Sequence, residues 1–243
     1  MVKVLKPSYE ILTPIDGTAI LKHIEKIART CYKSEDKITP PADDSSARKM
    51  IANLIKMGHE AMIEHFSISV RFTADMGFYK DLTRHRIASF AIESTRYCMY
   101  ANEKFGSQLS VMEPPLLEPG TDDYNVWLKC MEDIEGAYNE LARRGYKPDV
   151  CRMVLPHSIK ADINVTANLR EWRHIFKLRT STKAHPTIYT LLIPLLVEFK
   201  KRIPVIFDDI EISREIGEAQ QKVIAYILAE RDRQLEFPNA AAE

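Results

Sequence analysis

Two stretches of strict alternation constrain what this chain can fold into more than any other feature. In SISVRFT, residues 67 to 73, Ile68, Val70 and Phe72 alternate with Ser67, Ser69, Arg71 and Thr73. SIKADINVT, residues 158 to 166, repeats the pattern with Ile159, Ala161, Ile163 and Val165. A period of two sends successive side chains to opposite faces, so each stretch is predicted to be a strand with one buried and one polar face. Helical spacing governs much of the remainder. Leu21, Ile24, Ile27, Ala28 and Cys31 recur at three and four residues, as do Ile51, Leu54 and Ile55 behind a Ser45 or Ser46 cap.

Between the strands, Trp127, Met131, Ile134, Tyr138 and Leu141 predict a long helix ending near Gly145, and Pro148 suits the first turn of another. Further helices are expected from Arg170 to Thr180, from Pro186 to Lys201 with a kink at Pro194, and from Ser213 to about Leu235. Strands separated by several helices predict an α+β fold, helices packed on a mainly antiparallel central sheet, as a single domain with elaborations over residues 1–243.

Charge then narrows the function. With 34 basic and 34 acidic residues the net charge is zero, which removes the general attraction behind non-specific nucleic-acid binding. An anion would have to be held locally. The four cysteines, Cys31, Cys98, Cys130 and Cys151, form no C-x-x-C pair, so they read as buried thiols rather than a disulfide frame or zinc site. The N-terminus has no apolar signal core, and the longest apolar run, Leu191 to Val197, contains Pro194 and is too short for a bilayer, so a cytoplasmic protein without a membrane segment is expected.

Three clusters could carry chemistry. In RHRIASFAIESTRY, residues 84 to 97, Arg84, His85, Arg86 and Arg96 share a short stretch with Ser89 and Ser94, and apolar Ile87, Phe90 and Ile92 fill the gap. Arginine's planar fork suits phosphate, and a serine hydroxyl can complete the coordination. On a helix over residues 170–180, Arg179 continues the stripe of Trp172, Ile175 and Phe176, where a carboxylate or a ligand anion must meet it. Arg170 and His174 lie four apart on a neighbouring stripe. In GHEAMIEHF, His59 and His65 are six apart, which is wrong for a metalloprotease helix; no metal is expected, and the histidines are free to cap backbone groups or meet a planar ligand.

These clusters resemble flavin-dependent thymidylate synthases. Arg84-His85-Arg86, seven residues and Ser94 match the family's RHR-x7-S signature, extended by Arg96-Tyr97. HEAMIEH, CRMVLP and NLREWRHIFKLR are similar to three further family segments in the same order, so the resemblance runs from about Ala28 to Phe199. The chain departs from the pattern at Ala61, Asp81, Ala91, Ile92, His174 and Lys183. Contacts made by the family's Asn and acid or amide do not carry over to Ala91 and Ile92.

The resemblance implies reductive methylation of dUMP to dTMP, with methylenetetrahydrofolate as carbon donor, FAD as hydride carrier and NADPH as reductant. It implies cofactor contacts from His59, Arg84, His85, Arg86, Asn168, Leu169, Arg170 and His174. Substrate contacts would come from Asp81, Arg84, Glu93, Ser94, Thr95, Arg96, Arg152 and Arg179, with Arg179 catalytic against the uracil. A homotetramer with active sites between subunits is implied as well. The eight glycines are never closer than nine residues apart, so no G-x-G-x-x-G exists and flavin would be held by arginines and histidines. Ser94 is expected to bind rather than attack, since no paired histidine base accompanies it. Two rivals stand beside this reading: a flavoprotein reductase that transfers no methyl group, and a nucleic-acid module, which zero net charge opposes.

Overall fold

The computed structural model describes residues 1–103, 106–181, 183–212 and 216–236. Four strands form its principal sheet: β2 (Ser8–Ile11), β3 (Ser67–Asp75), β4 (Ala88–Ile92) and β6 (Lys160–Asn168), in the order β2-β3-β6-β4 and antiparallel throughout. A separate parallel pair joins β1 (Lys3–Leu5) to β5 (Ser110–Met112). The mixed fold with a mainly antiparallel central sheet is as expected.

The two alternating stretches become the paired central strands. Their apolar residues, Ile68, Val70, Phe72 and Ala74 on β3 and Ala161, Ile163, Val165 and Ala167 on β6, are all at most 3% exposed. Burying each large aliphatic or phenyl side chain contributes about 1.5–3 kcal/mol, which pins the register because a one-residue slip would turn the whole set to solvent. The helices α1 (Gly17–Thr30), α6 (Leu169–Arg179) and α7 (Pro186–Arg202) supply Leu21, Ile24, Trp172, Phe176, Leu195 and Phe199 to this core. The opposite face of the sheet is polar. Ser69 bonds Thr166 at 2.7 Å, Thr73 donates to Asp162 at 2.8 Å, and Arg71 reaches Glu10 and Asn164.

A second core forms where α4 (Asp122–Arg143) and the short α5 (Pro148–Cys151) cover the β1–β5 pair, with Met131, Tyr138, Cys151 and Ile159 inside. α4 begins at a Thr121 cap and ends before Gly145, whose φ of +87° suits a glycine. α7 is buried almost all round, as a central helix should be, and continues on both sides of Pro194. The last helix, α8 (Glu218–Glu236), is clamped to it by Arg231, which bonds Glu198 at 3.1 Å, while Tyr9 donates to the same carboxylate at 3.0 Å.

Four expectations change. α2 (Ser45–Lys56) follows Asp44 rather than a serine cap, because Ser46 instead donates to buried Glu25 and accepts from the Thr39 N–H. The last helix was expected from Ser213; residues 213–215 lie outside the described ones, and Ile216 and Gly217 are not helical. Among the cysteines only Cys151 is buried; Cys98 is half-buried, and Cys31 and Cys130 are exposed. Ile87 was expected to pack its segment but is 70% exposed, while Phe90 and Ile92 do pack on the core. No helix among the described residues is long and apolar enough to cross a membrane.

Candidate active site

β6 runs straight into α6 at Asn168, whose side-chain oxygen accepts the Glu171 N–H at 2.8 Å and caps the helix. On the other side, α3 (Met76–Leu82) ends at Thr83, and the Arg84-His85-Arg86 turn leads into β4. The turn is anchored by His85, which is 4% exposed. Its Nδ1 lies 3.1 Å from Glu171 Oε1, and its Nε2 accepts from Arg179 Nε at 3.2 Å. Two residues at opposite ends of α6 thus clasp one imidazole.

The hydrogen bonds assign the tautomer. Arginine only donates, so Nε2 carries the lone pair and Nδ1 the proton, given to Glu171. Burial, with the Arg179 and His174 charges, pushes the His85 pKa down to about 4 and keeps the ring neutral. Burial also raises the Glu171 carboxyl above the ordinary range. His85, Glu171 and His174 lie close enough to suggest a cation site. Two features oppose it: Nδ1 holds a proton, and a ligating Nδ1 would turn an Nε2–H toward the Arg179 donor.

Arg179 is less buried than its place on the stripe suggested. Its side chain is 20% exposed, donating to the Asp81 carbonyl at 3.0 Å with the Asp81 carboxylate 4.0 Å away. Among the described residues the fully buried arginine is Arg173, which sequence reading missed. Its guanidinium makes a fork to Asp209 at 2.6 and 2.8 Å, reaches Glu60 at 3.0 Å and donates to the Ile206 carbonyl. The signal was present, since Arg173 lies four after Leu169 and three before Phe176, but its partners come from distant segments.

A cleft of about 450 Å³ opens beside the clasp, lined by Asn168, Arg170, His174 and Lys177 from the β6–α6 segment, Ile87 from the turn, and Glu60 and Glu64. Glu60 and Glu64 belong to a 3-10 turn over Glu60–His65, the HEAMIEH segment. Arg170 pairs with Glu64 at 2.5 Å, but both are about half exposed, so the pair is weak and exchangeable. His59 is exposed and, among the described residues, its ring makes no capping hydrogen bond to the Glu60–His65 turn; the His65 carbonyl, rather than its ring, meets His23. Leu169 is fully buried and gives its N–H to Phe66, which places it in the core.

The remaining candidates lie apart. Arg84 and Arg86 are exposed, with no hydrogen bond or ion pair among the described residues. Ser94 accepts from the Arg96 N–H at 3.3 Å in a turn that leaves Arg96 exposed over Tyr97; Thr95 is half-buried between them. Glu93 is engaged structurally, accepting from Tyr100 and Lys160 at 2.9 Å each beside a second cavity of about 380 Å³. Arg152 is exposed in a 3-10 turn, close enough for its charge to lower the Tyr79 pKa against the upward push of burial. No hydrogen bond or ion pair among the described residues joins Ser94, Arg96 or Arg152 to the His85 clasp.

A family model described as thymidylate synthase complementing protein matches residues 15–205. A flavin-dependent thymidylate synthase from Mycolicibacterium vanbaalenii is 30% identical over 216 residues, 82% of each chain. Another, from Corynebacterium efficiens, is 28% identical over 214 residues, 84% of this chain and 85% of that one. Among solved structures, thymidylate synthase X from Helicobacter pylori with FAD and dUMP shares the fold at a TM-score of 0.66 and 19% identity, covering 84% of this chain and 98% of that one. So does the UMP/dUMP methylase PolB from Streptomyces cacaoi bound with 5-Br dUMP, at 0.66 and 23%, over 85% and 96%. The matched span includes the RHR turn, the Glu60–His65 turn and α6, and the chain belongs to the flavin-dependent thymidylate synthase family.

Proposed function

We propose that this chain converts dUMP to dTMP, taking the carbon from methylenetetrahydrofolate and reducing equivalents from NADPH through FAD. The observation that carries the reading is the clasp: His85 of the RHR turn and Arg179 of α6, 94 residues apart, bond directly, and Glu171, which holds the other nitrogen of His85, lines the cleft. The surroundings suit an anionic flavin. Arg84 and Arg86 are exposed and uncommitted, and Arg170 can exchange its exposed Glu64 partner for a phosphate. Bound FAD would supply hydride transfer.

The chain's own residues bind and orient. Arg84, Arg86, Asn168, Arg170 and His174 hold the flavin, with His59 at its margin. Ser94, Thr95, Arg96 and Arg152 hold the nucleotide phosphate and sugar, and Asp81 and Glu93 complete that pocket. Ser94 is a binding group: its oxygen accepts a backbone N–H, and no histidine among the described residues bonds it. Arg179 lies against the uracil, where a fixed positive charge favours the ionised N3 and stabilises negative charge as it develops. The enzyme acts in the cytoplasm as a homotetramer with sites between subunits. Exposed Ile87, Tyr97 and Met153 beside the uncommitted cations suit a surface completed by another copy.

Purified protein should show flavin absorbance near about 450 nm, the isoalloxazine band, and form dTMP only when methylenetetrahydrofolate is present. Lack of flavin after FAD is added would sink the reading. NADPH oxidation without dTMP formation would replace it with a reductase.

A further inference from the structure

His85 presents a difficulty if it is read as a flavin ligand. It is 4% exposed, and both ring nitrogens are taken, Nδ1 by Glu171 at 3.1 Å and Nε2 by Arg179 at 3.2 Å. Its ring has no donor or acceptor left to offer a ligand. The ring's one hydrogen bond toward the site runs to Arg179.

We propose that Glu171 and His85 are positioning residues that act in series on Arg179: Glu171 accepts the Nδ1 proton of His85, which leaves the Nε2 lone pair facing Arg179 Nε and fixes the plane of the guanidinium. The proposal rests on the reading that Arg179 faces the uracil. The Asp81 carbonyl holds a terminal nitrogen at 3.0 Å, so the guanidinium is held at two of its three nitrogens while 20% of the side chain stays exposed. A guanidinium held at one nitrogen can rotate about that bond; two contacts from different elements stop the rotation. Without Glu171 the imidazole could carry its proton on Nε2 instead, and donor would then face donor at Arg179. A polar group aimed by a second one, itself buried, is how sites keep a reacting edge in place.

Isosteric replacements separate this role from simple support. His85→Gln puts an amide oxygen where Nε2 was and keeps an acceptor for Arg179. His85→Asn puts an amide N–H where Nδ1 was and serves Glu171 only. If the series holds, His85→Gln retains most of the turnover number, whereas His85→Asn loses up to about a hundredfold, the scale expected for a misplaced reacting group. Nucleotide KM should differ little between the two. Equal turnover numbers in the two variants would overturn the proposal, since a packing or flavin role does not distinguish the nitrogens.

At the next residue, Glu171→Gln keeps an oxygen acceptor and should stay close to wild type, while Glu171→Leu should match His85→Asn in turnover. Each is also combined with Arg179→Lys. Residues acting through Arg179 cost little more once Arg179 is changed, so the double variants should resemble Arg179→Lys alone. Full additivity would refute the series while leaving Arg179 in place. Arg179→Lys with normal turnover would remove the reading beneath it. If Glu171→Leu does not fold, the pair at position 85 still decides.

Discussion

Replacing Arg173 and Arg179 with methionine, one at a time, sets two arginines of the same helix against each other. The Arg173 side chain is 1% exposed and answers two carboxylates, Asp209 and Glu60. Removing one partner of a fully buried pair costs about 3–5 kcal/mol; Asp209 is 47% exposed and can rehydrate, which puts the loss near about 3 kcal/mol. In a chain of this size that lowers the melting temperature by roughly 6–12 °C. Arg179 bonds a neutral imidazole and a carbonyl, and the nearest carboxylate, Asp81, is 4.0 Å away and 30% exposed. Losing those bonds should cost about 1–2 kcal/mol, or roughly 2–8 °C. Calorimetry without ligand, with turnover measured per folded molecule, should show Arg173→Met unstable but active and Arg179→Met stable but slow. Arg179→Met melting as low as Arg173→Met with normal turnover would refute the assignment of roles.

Three further outcomes are expected. Arg152→Ala should weaken nucleotide binding by roughly ten- to a hundredfold and leave FAD affinity nearly unchanged, and equal losses in calorimetric titration would place Arg152 elsewhere. Gly17→Ala would drive a Cβ into the Arg202 carbonyl oxygen, so it should lose about 1–3 kcal/mol to overpacking; an unchanged urea midpoint would contradict that contact. Because the His85 pKa is about 4 in the folded chain and 6.5 when free, the unfolded state binds the proton first. Stability from this residue is therefore complete above about pH 6.5 and falls by up to about 3 kcal/mol as the pH drops toward 4. Glu171, held above its ordinary value, pulls the other way, so urea midpoints across this range are compared with those of His85→Gln, which should lack the fall.

What the sequence made legible follows from the range of each interaction. β3 and β6 announced themselves because a period of two persists along a strand with one buried face. β1, β2 and β5, at three or four residues, are too short for any period to stand out. Helix interiors were readable and their starts less so: Asp44 precedes α2 where a serine was expected, because Ser46 is drawn away to Glu25. At the site, Arg179, His174 and Arg170 stood out from helix spacing alone. Arg173 and Glu171 did not, since the partners that explain them, Glu60 and His85, lie 113 and 86 residues away. Exposure of Ile87, Cys31 and Cys130 was equally invisible, because composition says which residues tend to be inside and nothing about which of them face a cleft or open solvent.

β6 ends at Asn168 and α6 begins at Leu169, with no residue between them to act as a hinge. The helix axis is therefore set by a strand paired with β3 from Ser67↔Asn168 to Asp75↔Lys160 and held by β4 on its other edge. From that joint to Arg179 is ten residues, about 15 Å of helix, so a tilt of roughly 4° would displace the guanidinium by about 1 Å. Moving β6 by one residue would turn α6 by about 100° and carry Arg179 away from His85 altogether. The sheet thus works as a jig: substitutions on its buried face, far from the cleft, should alter the reaction by changing the angle at which one helix leaves one strand.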